Sequence, residues 1–480
     1  MNIKPFLIGG EWVQGTGTPF DSVNPANGEL NGRIGGASAA DVDHAVRNAQ
    51  RAQRDPRWRN MLPHERARLL NRVADLIVER GSELASIQMR ENGKLRSECL
   101  AQAGAAAGAF RYFAGVIETM VSEIAPSRGP HVANVVYEPF GVVAAITPWN
   151  SPLTLEAQKV AAAVAAGNAV VLKPSEFTPG PALELGRIFL DAGVPAGILN
   201  VVTGLGGETG LALVQHPEVR MISFTGGTAT GRAIGRIAAE RLVPVALELG
   251  GKSPHIVFAD ADLDAAAEGV VSGIFTSSGQ SCIAGSRLFI ERSIYDDFLA
   301  RVVERTKALK VGPPDADGSQ VAPLSSFVHR ERVEAYVQSA RDDGGTIVAG
   351  GKRPDDAALP AGAFYEPTII TGLTNEAKAC REEIFGPVLC VLPFDGEADL
   401  VEQANGTSFG LGCGIWTESY KKAWRVARAI EAGTVWVNTY KELTVAVPFG
   451  GFKDSGIGRE KGYYGIRVYQ EPKTILWGMK

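Results

Sequence analysis

The chain has 480 residues, 45% hydrophobic and 21% charged, with a formal net charge of −5. That is the composition of a globular protein long enough for about two to four domains. The mild acidity and the lack of a long basic run exclude nucleic acid or an anionic membrane surface as the expected partner. Cys99, Cys282, Cys380, Cys390 and Cys413 are odd in number and form no CxxC pair. They fit reduced thiols in a cytoplasmic protein, not a disulfide framework or a zinc site. The histidines do not cluster and no HExxH occurs, so no metal is expected. The start, MNIKPFLIGGEW, lacks the charged-then-apolar pattern of a secretion signal. The most apolar segment, 160–172, is broken by Gly167 and Asn168 and is too short to span a bilayer.

In chain order, the first sixty residues are rich in Gly, Pro and Asn and predict short strands and turns. Leu69, Leu70, Val73, Leu76, Ile77, Leu84 and Ile87 recur at helical spacing and predict an amphipathic helix over 63–91. Residues 96–120, rich in Ala and aromatics, predict a second helix, and 122–139 two strand-like pieces around a turn, a protruding hairpin. From Gly141 apolar runs (VVAAITPW, AVVLKP, ILNVVTG, MISFTGG, VPVALELGG) alternate with helical stretches, which predicts a parallel sheet covered on both faces. Ligands of such sheets bind at the carboxyl ends of the strands. Pro148, Trp149, Asn150, Lys173, Ser175, Glu176, Gly204, Gly226 and Gly227 fall there. A second α/β region runs from about Ser253 to about Val447, and EPKTILWGMK reads as a strand with no neighbouring hairpin partner, expected to complete a sheet elsewhere.

Residues 275–286, FTSSGQSCIAGS, frame Cys282 with small and hydroxyl residues, which leave a substrate room to reach the sulfur. A cysteine kept only for packing sits among bulky apolar neighbours. In FTGGTATG (224–231) the glycines at a strand-to-helix turn permit close backbone approach to a phosphate, although such turns are often only structural. It is not a GxGxxG fingerprint, and none occurs in the chain. VVLKPSE sets Lys173 and Glu176 after a buried strand, where they suit ribose hydroxyls or a simple surface ion pair. In LELGGKSP, Glu248 ends an apolar run, where burial would raise its pKa towards that of a general base, or where a salt bridge would hold it. Asn150 of PWN could donate to a developing oxyanion or merely brace a turn.

Together with EEIFGP (382–387) and PFGGFKDSGIGRE (448–460), and in this order, these motifs resemble those of the NAD(P)-dependent aldehyde dehydrogenase superfamily over essentially the whole chain. The resemblance implies an α/β, aldehyde dehydrogenase-like fold: a Rossmann-type NAD-binding domain (1–121 and 141–250), an α/β catalytic domain (251–447) and a small β oligomerisation element (122–140 and 461–480). It implies Cys282 as nucleophile, Asn150 and the Cys282 N–H as oxyanion donors, Glu248 as the base that activates water, and Lys159 near the nicotinamide. The NAD contacts it implies are Ile146, Pro148, Trp149, Lys173, Ser175, Glu176, Gly204, Gly207, Phe224, Thr225, Gly226, Gly227, Gly231, Leu249, Glu383 and Phe385. Glu176 beside the ribose 2′-hydroxyl would favour NAD over NADP. A homodimer or homotetramer is expected, with the C-terminal strand extending a neighbour's sheet. Ser151 and Gln158, where several relatives carry bulky aromatics, and Lys441 and Glu442 near the implied tunnel mouth suggest a larger or polar aldehyde. A semialdehyde bearing a carboxylate, or a product of aromatic ring cleavage, would suit. The alternatives are a CoA-acylating dehydrogenase, which has no need of Glu248, and a non-redox cysteine hydrolase or thioesterase. The hydrolase would want a histidine partner, and the nearest in sequence is His255.

Overall fold

Five apolar runs between Gly141 and Gly250 form the parallel strands β1 (Val142–Ile146), β2 (Ala169–Lys173), β3 (Leu199–Val201), β4 (Met221–Thr225) and β5 (Val245–Glu248). This is a computed structural model, and it describes residues 3–356, 359 and 361–479; the first two residues of the N-terminal segment and Lys480 of the C-terminal one lie outside. The strands lie side by side as β3-β2-β1-β4-β5. Every residue of β1, β2 and β4 is buried, because helices Pro152–Ala165, Gly180–Asp191 and Thr228–Arg241 cross over between strands and cover the sheet. The order reverses between β1 and β4, which opens a crevice at the carboxyl ends. At the far edge Gly456–Ile457 pairs antiparallel with β5, placing Gly456 opposite Glu248. The C-terminal glycine motif is thereby fastened beside that carboxylate.

The second sheet contains β6 (Pro254–Val257), β7 (Arg287–Glu291), β8 (Thr368–Thr371), β9 (Val388–Phe394), β10 (Gly412–Trp416) and β11 (Thr434–Val437), parallel in the order β8-β9-β7-β6-β10-β11. Antiparallel Thr346–Ala349 closes its β8 edge. Arg287 is wholly buried at the start of β7, and its guanidinium donates to the carbonyls of Lys252, Gln403 and Ala404 and to Asn375 Oδ1. A buried cation is tolerable only when its donors are used in this way.

Two expectations need correction. Ala39–Arg54 is a helix inside the region expected to hold only strands and turns. Ser38 and Asp41 form its capping box, and Val42, Ala45, Val46 and Ala49 supply its buried stripe; the Gly- and Pro-rich stretch before it disguises it. The helix expected over 63–91 is two, Pro63–Glu79 and Gly81–Asn92, broken at Arg80. The C-terminal strand does complete a sheet elsewhere in the chain: Gln470–Gly478 runs antiparallel to His131–Pro139 over nine residue pairs, with Glu123–Ala125 on the far side. That partner lies more than three hundred residues upstream, beyond the reach of any local pattern. Among the described residues no helix is long and apolar enough to cross a membrane.

Candidate active site

A cavity of about 1170 Å³ opens where the carboxyl ends of β1, β4 and β5 meet the second sheet, and Asn150, Glu248, Cys282 and Glu383 all line it. Cys282 follows helix Leu263–Phe275 through a turn in which Ser277, Ser278 and Gly279 are left-handed, with φ of 60°, 55° and 70°. Serine in that region costs about 1–3 kcal/mol and needs outside support. The support is visible. Glu98 Oε1 accepts from Ser277 N and Oγ at 2.7 and 3.1 Å, and Ser278 Oγ donates to the Ala322 carbonyl at 2.7 Å. Ser325 N donates to Gln280 Oε1 at 2.8 Å, and Tyr440 OH to the Ile283 carbonyl at 2.9 Å. Asn150 Nδ2 donates to the Gln280 carbonyl at 3.0 Å, which orients the amide and leaves its second N–H without an acceptor among the described residues. The Cys282 N–H donates to no other residue among them, only towards its own sulfur. Cys282 keeps one face open, whereas the other four cysteines are buried. Burial, then the carboxylates of Glu383 and Glu248, push its thiol up to about 12, against the opposing charge of Lys461.

Glu248 is almost fully buried at the end of β5, and its Oε2 has no hydrogen-bond partner among the described residues. Burial and the neighbouring charge of Glu460 hold its carboxyl well above the usual range, while Lys159, Arg459 and Lys461 pull it down. Lys159 does not reach the cavity surface. Buried beneath it, the ammonium pairs with Glu460 and donates to Ser223 Oγ at 3.0 Å, and Tyr469 OH reaches the same hydroxyl at 3.0 Å. Glu460, which does line the cavity, ends the glycine motif of 448–460, a position to which the sequence alone gives no role. Its signal, a carboxylate closing a run of glycines, gains meaning only once Lys159 lies behind it.

On the other side of Cys282 the cavity becomes a groove. Trp149 meets Phe385 edge-on at 5.3 Å and His329 at 5.2 Å between ring centroids, and His329 Nε2 donates to the Phe385 carbonyl at 2.7 Å, which fixes Phe385 at φ 61°. His329 and Arg332, on helix Phe327–Asp342, line this groove and carry no motif. Glu383 Oε1 accepts from Gly251 N at 2.9 Å, and burial raises its carboxyl to about 7. A side chain at Gly250 would collide with that carboxylate. Pro148, Thr225, Gly226, Gly227 and Leu249 also line the cavity. Phe224 and Gly231 shape it from behind: a Cβ at Gly226 would strike the Phe224 ring, and one at Gly231 would strike Leu249. Ile146 closes β1, all but buried. Lys173, Ser175, Glu176, Gly204 and Gly207 lie off this cavity, at and beyond the ends of β2 and β3. There Lys173 donates to the Pro174 carbonyl at 2.9 Å and stands 3.9 Å from Glu176.

The aldehyde dehydrogenase family model matches residues 12–475. The chain belongs to the aldehyde dehydrogenase family. An aldehyde dehydrogenase from Bacillus cereus, solved as an NAD+ complex, is 39% identical over 100% of this chain and 97% of its own, with a TM-score of 0.97. An NAD-dependent aldehyde dehydrogenase from Sinorhizobium meliloti is also 39% identical, over 100% of this chain and 95% of its own, at TM-score 0.97. A point mutant of betaine aldehyde dehydrogenase from Staphylococcus aureus, in complex with NAD+ and carrying a BME-modified cysteine, is 36% identical over 99% and 98%, at TM-score 0.98.

In this aldehyde dehydrogenase the groove has the chemistry a dinucleotide needs. The Oγ1 atoms of Thr225 and Thr228 are buried without partners among the described residues at the turn where β4 enters helix Thr228–Arg241, so polar donors await an acceptor there. Gly227, where a Cβ would project into open space, keeps that approach open. Ser151 and Gln158 line the cavity wall on the Asn150 side, with Gln102 Nε2 donating to Ser151 Oγ at 3.1 Å.

Proposed function

We propose that this aldehyde dehydrogenase uses NAD to oxidise a polar aldehyde to its carboxylic acid, with Cys282 as nucleophile and Glu248 as the base that hydrolyses the resulting thioester. The observation that carries this reading is the convergence, on one cavity wall, of an accessible thiol, two amide donors with capacity to spare among the described residues and a buried carboxyl. The Cys282 sulfur adds to the aldehyde carbon and the thiol proton is lost. The Asn150 side-chain amide and the Cys282 N–H receive the oxyanion, an interaction made only as charge develops. NAD, when bound, accepts the hydride that leaves the thiohemiacetal carbon. Glu248 takes a proton from water as it attacks the thioester. Lys159 holds Glu460 behind Glu248, and that pairing sets the field in which Glu248 titrates.

Glu383 and Phe385 hold the nicotinamide end of the cofactor, Gly226, Gly227 and Gly231 shape the pyrophosphate turn, and Lys173 and Glu176 take the adenosine ribose. Glu176 repels a 2′-phosphate, so NAD is preferred over NADP. Residues 1–121 and 141–250 form the NAD-binding domain, 251–447 the catalytic domain, and 122–140 with 461–480 the element through which copies associate as a dimer or tetramer. Five free thiols suit the cytoplasm. A hydrolase using Cys282 with a histidine is disfavoured by His255, which is buried and whose Nε2 is taken by Trp416 Nε1 at 2.7 Å. A CoA-acylating role leaves Glu248 without a task.

The test is NADH formation from a panel of aliphatic, aromatic and carboxylate-bearing aldehydes, with NAD or NADP and with or without CoA. Turnover without CoA, favouring NAD, abolished in Cys282→Ser and reduced to an acyl-enzyme burst in Glu248→Gln, is the expected result. Turnover that needs CoA, or that survives Cys282→Ser, would overturn it.

A further inference from the structure

Lys441 and Glu442, which the sequence sets near the tunnel mouth, do not line the cavity, whereas Leu443 does. A cation that does line it is Lys461, one residue beyond the Glu460 that pairs with Lys159. Its ammonium stands 4.7 Å from the centroid of the Phe449 ring, which also lines the cavity. Phe449 and Cys282 pack against the same small cluster of Ile283, Leu411, Trp436 and Tyr440, so Lys461 lies at the nucleophile's end of the cavity.

The backbone is strained to put it there. Lys461 has φ 59° and ψ 176°, at the margin of a region that only glycine enters freely. Both neighbours are pinned to the segment 445–449. Glu460 and Phe449 exchange backbone hydrogen bonds of 2.7 Å, and Gly462 N donates to the Val445 carbonyl at 2.7 Å. Strain of this kind gathers at sites where a side chain has to be aimed.

Lys461 is 7% exposed, and apart from the ring its ammonium has no hydrogen bond or ion pair among the described residues. Burial works to discharge it, while Glu460, Cys282 and Glu248 work to keep it charged. No free carboxylate answers it, however. Glu460 is engaged by Lys159, and burial and Glu460 hold Glu248 towards its neutral form. Ser151 and Gln158, on the Asn150 side of the cavity, are polar but uncharged. An anion entering from solvent would relieve the unpaired charge, and a second cation would aggravate it. The aromatic face that a cationic substrate would use is already occupied.

We infer that Lys461 is a charge filter for the substrate: held over Phe449, its ammonium takes the carboxylate of an anionic aldehyde and turns cationic aldehydes away. This rests on the reading of Cys282 as nucleophile, and it adds the residue that selects the substrate class. Lys461 is a specificity determinant, and the strained backbone serves to place its side chain.

The experiment uses pairs of aldehydes matched in shape and differing in charge. One set is the semialdehydes of succinate and glutarate, each against its methyl ester. The other is betaine aldehyde against its carbon isostere, tert-butylacetaldehyde. kcat/KM is measured for wild type, Lys461→Met, Lys461→Arg and Lys461→Gly. Wild type should favour at least one acid over its ester and the neutral isostere over betaine aldehyde. In the methionine and glycine variants both ratios should move about tenfold towards unity, and arginine should keep them. Losing the charge also alters the field at Cys282, but that effect and any loss of folded enzyme cancel in a ratio. Lys461→Gly should melt no lower than Lys461→Met, because glycine accepts this backbone; the reverse order would overturn the claim of strain. Turnover of the neutral aldehydes with both ratios unmoved in the methionine and glycine variants would overturn the filter and leave the dehydrogenase reading intact. Absence of NADH from every aldehyde in wild type would overturn both.

Discussion

Cys282 is poorly ionised where it stands. A thiol pushed up to about 12 by burial and by two carboxylates is almost wholly protonated at neutral pH, and its thiolate fraction climbs about tenfold per pH unit below the pKa. Alkylation by iodoacetamide, without cofactor or aldehyde, should therefore accelerate steadily between about pH 7 and 10. Glu383→Gln removes the carboxylate that raises the thiol more and should make alkylation faster at a given pH. A plateau below about pH 9 in wild type would show that Lys461 outweighs the carboxylates. At this scale the sequence is most informative where chemistry and chain neighbourhood coincide. Cys282 among its small residues and Glu248 at the end of an apolar strand can be singled out because the reason for each lies within a few positions. Glu460 and His329 cannot, since each draws its surroundings from remote chain: Lys159 behind Glu460, Trp149 and Phe385 around His329.

The elements that carry these residues are set against one another by glycines with no room to spare. Gly279 lies at φ 70°, and a Cβ there would strike the carbonyl of Gly386, so the cysteine turn and the loop carrying Glu383 and Phe385 pack backbone to backbone. Gly279→Ala should therefore destabilise the enzyme by about 1–3 kcal/mol through backbone strain alone. It should also lower NADH formation beyond what the remaining folded fraction explains, because nucleophile and groove are displaced together. Gly207 is the control, since a Cβ there would meet nothing within 4 Å and its φ is not positive: Gly207→Ala should leave the melting temperature unchanged. Thermal denaturation of both variants beside activity per folded molecule checks this, and equal melting temperatures would contradict it. The parallel strands are legible because runs such as AVVLK are apolar throughout. The break at Arg80 and the helix Ala39–Arg54 are not, since one needs a cap in mid-pattern and the other hides its capping box among glycines.

Over the whole molecule, the remaining question is what covers the outer edge of Gln470–Gly478. Its inner edge is satisfied by His131–Pro139, a pairing whose members lie far apart along the chain and which no local sequence pattern announces. Along its nine residues the outer edge turns alternate backbone groups outward with no strand beside them among the described residues, with Leu476 and Trp477 about 60% exposed and Ile124 of the same small sheet 77% exposed. A long strand edge flanked by apolar side chains pairs with other chains unless something covers it. A second copy is the economical cover, because a symmetric contact would supply a strand edge and an apolar face at once. Light scattering coupled to size exclusion should thus give a mass of at least two chains for wild type. Trp477→Lys combined with Ile124→Lys should shift it towards one chain, with the far-ultraviolet spectrum unchanged, since neither residue packs in the core. An unaltered oligomer after both substitutions would place the interface on another face and leave this edge to be covered by something else.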